Sequence, residues 1–174
     1  MKTQRMFLAM WPNEAQVEKL YELQSGYLQW GREVPPENFH ITLLFLGDIT
    51  YQVVDCISQG LKELIVQPFN LQLDRLGYFE KKQIFWVGPS LVPTELESLF
   101  KSARNCVQQC GISKISKRYT PHVSLLRKCE VPISNPDFAP IGMKIDEFHL
   151  IESRLDRDRA RYFVVESFPF ANLV

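Results

Sequence analysis

Residues 37–48, ENFHITLLFLGD, place a histidine inside a run that otherwise reads as a buried strand. From Phe39 to Leu46 the side chains alternate between two faces, with Phe39, Ile41, Leu43 and Phe45 on one and His40, Thr42, Leu44 and Leu46 on the other. The first face is wholly apolar and is expected to point into a core, which makes Phe45 a core aromatic. The second sets an imidazole and a hydroxyl two residues apart, about 6.6 Å along an extended chain and facing the same way. One such pair is a common structural arrangement. A second copy gives it weight: PHVSLL at 121–126 repeats FHITLL at 39–44, so His122 and Ser124 share a face as His40 and Thr42 do. The two histidines stand close to half a chain length apart, the pattern of a duplicated lobe.

Brought side by side, two such strands aim two imidazoles and two hydroxyls into one cleft. That set suits metal-free phosphodiester cleavage. A neutral imidazole takes a proton from the attacking oxygen while a protonated one gives a proton to the departing oxygen, and a histidine pKa near 6.5 allows both states. The hydroxyls can donate to the phosphate oxygens as charge shifts in the transition state. A rate profile centred near neutrality is expected. A metal centre is the other use of paired histidines, but neither motif has an acidic ligand on its strand face, so no metal is expected. The third histidine, His149 in DEFHLIES, has no matching hydroxyl two residues on and reads as structural.

Around the motifs the chain predicts an α+β fold, mainly antiparallel, with helices on the outside. RMFLAMWP (5–12) is a strand, and a helix capped by Asn13 runs to about Leu28. GREVPPEN is a loop because its prolines oppose pairing. A second helix spans roughly 51–66 after Thr50. FNLQLDRLGYF and QIFWVGP form a hairpin about EKKQ, and a third helix runs from Pro93 to about Gln109. RYTPHVSLL, IGMKIDEFHLIES and ARYFVVESFPF supply three further strands. No linker divides the chain, so residues 1–174 are expected to form one domain of two pseudo-symmetric lobes, one motif in each.

Composition narrows the partners. Twenty basic and twenty acidic residues cancel, leaving no global field for a long nucleic acid. Basic residues gather at 113–119 beside the second motif and, interleaved with Asp156 and Asp158, at 154–161. Trp11, Trp30, Tyr78, Phe79 and Tyr119 are available for base stacking. Cys56, Cys106, Cys110 and Cys129 lack paired CxxC spacing and read as reduced thiols of a cytoplasmic protein, Cys106 packing inward. No apolar run reaches membrane-span length, and no Gly-rich phosphate loop is present.

HITLLFLG and HVSLLRK resemble the paired H-x-[T/S]-x motifs of the two-histidine phosphoesterase superfamily. Within it, VPPENFHITLLFLGD is similar to the LigT-like group, RNA 2′,3′-cyclic phosphodiesterases once named 2′-5′ RNA ligases. The resemblance implies a bilobal fold with two mainly antiparallel sheets around a central cleft. It also implies hydrolysis of the 2′,3′-cyclic phosphate on RNA 3′ ends or small nucleotides to a 2′-phosphate. No cofactor and no membrane partner is expected, and the chain reads as a cytoplasmic monomer. His40 would be the proton donor and His122 the acceptor, with Thr42 and Ser124 on the phosphate. Arg127 matches a phosphate-binding position of the family, although strict alternation turns it away from His122 unless the strand end or a bulge intervenes. Phe45 is its counterpart and could line the cleft and stack on a base. The alternatives are 2′-5′ ligation at the same site and non-catalytic binding of phosphorylated RNA ends.

Overall fold

The computed structural model describes residues 2–130, 137–156 and 159–171. Arg157 and Asp158 of the second charged cluster lie outside the described residues. Among those described, the elements are β1 (Thr3–Met10), α1 (Glu14–Ser25), β2 (Arg32–Glu33), β3 (Ile41–Thr50), α2 (Tyr51–Lys62), β4 (Phe69–Leu73), β5 (Arg75–Phe79), β6 (Ile84–Gly88), α3 (Thr94–Gln109), β7 (Val123–Arg127), β8 (Ile141–Ile145), β9 (Glu147–Asp156) and β10 (Arg159–Pro169). Eight strands make one antiparallel sheet in the order β10-β9-β1-β3-β7-β6-β5, with β2 alongside β7, while β4 and β8 pair separately.

Local sequence explains the elements. Asn13 and Gln16 exchange side-chain and backbone hydrogen bonds at 2.9 and 2.8 Å, a capping box that starts α1 where Pro12 ends β1. Val54, Ile57 and Leu61 on α2 and Leu96, Leu99, Phe100, Ala103 and Val107 on α3 recur at helical spacing and are buried, so both helices cover one face of the sheet. Gly111, at φ +91°, ends the α3 segment in a conformation that favours glycine. Strand alternation makes the sheet two-sided. Met6, Leu8 and Met10 enter the main core, whereas Phe7 and Ala9 join Ile151 in a small cluster on the opposite face, with Trp11 and Tyr162 packed against it. Burying each large apolar side chain stabilises the fold by about 1.5–3 kcal/mol.

The α+β class and the antiparallel pairing agree with expectation, but several local readings do not. Arg32–Glu33 is a short strand on β7, because the pairing ends before Pro35 and Pro36. The stretch read as one strand from Phe69 to Phe79 breaks at Asp74. Its first half pairs with β8, and only its second half forms the hairpin with β6. Asp74 instead accepts hydrogen bonds from the Ser90 amide and hydroxyl at 2.6 and 2.7 Å. A matching break at Asp146 separates β8 from β9. Two of the cysteines are not free thiols: Cys56 and Cys110 form a disulfide, since packing α2 against the end of α3 brings their Cα atoms to 5.9 Å. Cys106 is buried, as its helical position implies, with its sulfur against Gly60.

No helix of the described residues is long and apolar enough to cross a membrane.

Candidate active site

At the centre of the sheet β3 meets β7 at the register pair Ile41 with Val123, and β2 continues the pairing along β7. Both residues are fully buried in the main core. Their neighbours along each strand therefore point to the opposite face. His40 and His122 immediately precede β3 and β7, and with Thr42 and Ser124 they flank that pair in antiparallel order. The two repeated motifs thus become a four-cornered group of two imidazoles and two hydroxyls.

Each imidazole is fixed in the same way. His40 Nδ1 lies 2.7 Å from the Asn38 carbonyl, and His122 Nδ1 lies 2.7 Å from the Thr120 carbonyl. A carbonyl can only accept, so each neutral ring carries its proton on Nδ1 and keeps Nε2 as the exchangeable position. His40 Nε2 sits 3.0 Å from Thr42 Oγ1. Aromatic rings hold both imidazoles: Trp11 stacks on His40 at 5.4 Å, with Phe7 and Tyr162 each at 5.2 Å, while Phe79 meets His122 edge-on at 4.9 Å.

Two matching bulges recruit the next pair of residues. Register between β1 and β3 slips between Leu8 and Ala9, which skips Leu43, and that between β6 and β7 slips between Phe85 and Trp86, which skips Leu125. Each slip lets two successive leucines face the core and reverses the phase beyond them. Phe45 is consequently 65% exposed, with its ring 6.1 Å from Phe7 on the His40 side. The expectation that it belongs to the apolar core is overturned. Arg127 turns to the side of His122 and Ser124 by the same device, and among the described residues it has no carboxylate within 4.0 Å. Fully buried Gln24 braces this bulge from α1, its Nε2 donating to the Leu125 and Val34 carbonyls at 2.7 and 2.8 Å.

Burial and charge act together on the histidines. Burial pushes His40 down to about 4, opposed by its hydrogen bond to the Asn38 carbonyl and reinforced by the charges of His122 and Arg127. Burial also lowers His122, against its bond to the Thr120 carbonyl and with the charges of Lys82 and Arg127. Arg127 therefore acts on both rings. Among the described residues no group of three His, Cys, Asp or Glu side chains gathers that could hold a metal ion. A cavity of about 240 Å³ between the end of α2 and the start of α3 is lined by none of these site residues.

The family model described as LigT like Phosphoesterase matches residues 11–86, which include the first motif. The protein named RNA 2′,3′-cyclic phosphodiesterase from Escherichia coli (strain K12) is 31% identical over 137 residues, covering 76% of each chain. The chain belongs to the LigT-like phosphoesterase family. A Thermotoga maritima protein of the same name is 28% identical over 165 residues, covering 87% of each chain. The crystal structure of E. coli LigT complexed with 3′-AMP superposes with a TM-score of 0.91 at 26% identity, covering 98% of this chain and all of that one.

Within this LigT-like frame, Trp11 and Phe79 from the stacking candidates lie against the histidines, and Tyr119 does not, being stacked on Phe100 in the core. Tyr78 donates to the Cys129 carbonyl. Sequence reasoning missed Tyr162, Trp86 and Gln24, which reach the site only through strand and helix packing. His149 Nδ1 lies 2.8 Å from Ser167 Oγ, and its ring meets Trp11 edge-on at 6.3 Å. Residues 113–119 lie in the irregular segment that leads from α3 towards β7.

Proposed function

We propose that this LigT-like protein is a metal-independent RNA or nucleotide 2′,3′-cyclic phosphodiesterase, and that the half-sheets carrying its two motifs are pseudo-symmetric lobes of one domain. The carrying observation is the pair of identically clamped imidazoles flanking Ile41 and Val123 on one sheet face, both within the field of Arg127. The names of the E. coli and T. maritima relatives support the same reaction, and the 3′-AMP complex of E. coli LigT supports a nucleotide ligand.

Water attacks the phosphorus of the cyclic ester and the bond to the 3′ oxygen breaks. His122 Nε2 takes the water proton, His40 Nε2 gives its proton to the departing 3′ oxygen, and a 2′-phosphate with a free 3′ hydroxyl results. Thr42 and Ser124 donate to the non-bridging oxygens, Arg127 balances their charge, and Phe45 stacks on the base. Both rings are neutral in the free protein near pH 7. The anionic ester, entering between them, favours the imidazolium that His40 must supply.

The test is turnover of a 2′,3′-cyclic nucleotide and of a short RNA ending in a cyclic phosphate, with EDTA present and the product resolved by phosphorus NMR. EDTA-resistant formation of a 2′-phosphate is expected. Exclusive formation of a 3′-phosphate, or no turnover, would remove this reading.

The pH profile carries a sharper expectation. The active form has one neutral and one protonated imidazole, so kcat/KM is bell-shaped about the mean of two lowered pKa values, on the acid side of 6.5 rather than at neutrality. Removing the positive charge of Arg127 makes imidazolium cheaper to form on both rings, which raises both pKa values. Arg127→Gln should therefore move both limbs to higher pH while lowering kcat/KM by about 10- to 100-fold. Unmoved limbs would exclude the long reach assigned to this guanidinium.

A further inference from the structure

We infer that the β5–β6 hairpin is a shelf for the nucleotide on the 5′ side of the cyclic phosphate, so that the preferred substrate is an RNA end of two or more nucleotides and not a cyclic mononucleotide. The inference rests on the proposed reaction at the two histidines, because a cyclic phosphate closes the 3′ end and leaves only the 5′ side for further chain.

The shelf borders the site directly. Phe79 lies 4.9 Å from His122 and Trp86 lies 5.9 Å from it, with the two aromatic rings 5.2 Å apart. Two glycines set Trp86 flat on the sheet: a Cβ at Gly77 would fall 2.1 Å from the indole, and one at Gly88 would fall 3.0 Å from it and 2.5 Å from the Pro121 carbonyl. Trp86 itself is only 4% exposed and supports Phe79, the half-buried ring that forms the floor beside His122.

Cations flank the floor. The Arg75 guanidinium carbon lies 5.5 Å over the Trp86 ring. Lys82, exposed in the hairpin turn, contributes to the field at His122. Among the described residues neither Arg75 nor Lys82 has a carboxylate within 4.0 Å, whereas Arg154 and Arg161 of β9 and β10 are held by Glu152 and Asp156 at 2.6 and 3.1 Å. Cations without carboxylate partners around the half-buried Phe79 ring are what single-stranded RNA recognition requires: a face on which a base stacks, and charges that follow the phosphates. A cyclic mononucleotide fills the space between the histidines and has no phosphate to place on the shelf.

The test compares the affinity of the full chain for a trinucleotide ending in a 2′-phosphate with that for the matching nucleoside 2′-monophosphate, by calorimetry at several salt concentrations. The wild type should favour the trinucleotide by tenfold or more. In R75A/K82A that ratio should fall about tenfold, and the slope of log affinity against log salt for the trinucleotide should flatten by about 1.4, the value for two lost contacts to a single strand. K82E, at an exposed turn, supplies the same comparison if the double variant loses its fold. Equal wild-type affinities, or an unchanged ratio and slope in the variants, would overturn the shelf. The readout is binding, so a chain that binds as expected but shows no EDTA-resistant turnover would refute the hydrolase reading and leave the shelf standing.

Discussion

His40→Ala and His122→Ala should each lower kcat/KM for a 2′,3′-cyclic nucleotide by about 10²- to 10⁴-fold, the range for removing a positioned proton donor or acceptor. The double variant should be little worse than the poorer single one, because the rings move two protons of one event and losing either leaves the other without a task. The two variants should differ in stability. His40 is enclosed by Phe7, Trp11 and Tyr162, so its truncation leaves a gap among aromatic rings, whereas His122 contacts Phe79 and Trp86. His40→Asn and His122→Asn, which retain a polar group near each clamping carbonyl, should be as inactive while unfolding closer to the wild-type denaturant midpoint. An activity loss below about tenfold in a folded variant would show that the imidazole concerned does not move a proton in the rate-limiting step.

Thr42→Val and Ser124→Ala should each cost about 10² in kcat, the lower end of what one preorganised donor to a developing anion contributes. Both changes keep the strand face nearly isosteric, so little stability should be lost. Their pH profiles should separate them. Thr42 Oγ1 is 3.0 Å from His40 Nε2, so its removal alters the surroundings of the proton itself. Ser124 makes no side-chain hydrogen bond to either ring among the described residues, and its removal should lower the rate with the limbs in place. Equal movement of the limbs in both variants would contradict that division. A rate unchanged in Ser124→Ala would assign the phosphate oxygens to Thr42 and Arg127 alone.

The repeated His-x-Thr/Ser motif was legible because it depends on strand alternation and composition, which are properties of a single segment. Bulges are properties of a pair of strands, so the outward turn of Phe45 and Arg127 was not. A trace of it exists nonetheless: Leu43-Leu44 and Leu125-Leu126 stand at the same offset in both copies, two successive apolar residues where alternation would send one of them outward. The breaks at Asp74 and Asp146 have a comparable signature. Buried positions run Phe69, Leu71, Leu73 and then Leu76, and Ile141, Met143, Ile145 and then Phe148, a change of phase at the aspartate in each case. Tyr162 and Gln24 left no trace, since one meets His40 from β10 and the other meets the β7 bulge from α1. The Cys56–Cys110 bond depends likewise on how α2 lies against α3.

The joint between the two halves has a mechanical meaning. β3 meets β7 at Ile41–Val123, β2 continues along β7 through Glu33–Leu126 and Arg32–Arg127, and buried Gln24 ties the Val34 and Leu125 carbonyls together from α1. A seam fastened at several points is a riveted joint, and His40 and His122 are set beside its first rivet. The spacing of the two imidazoles is therefore built into the frame, and differences among the chain ends that it accepts fall on the rims.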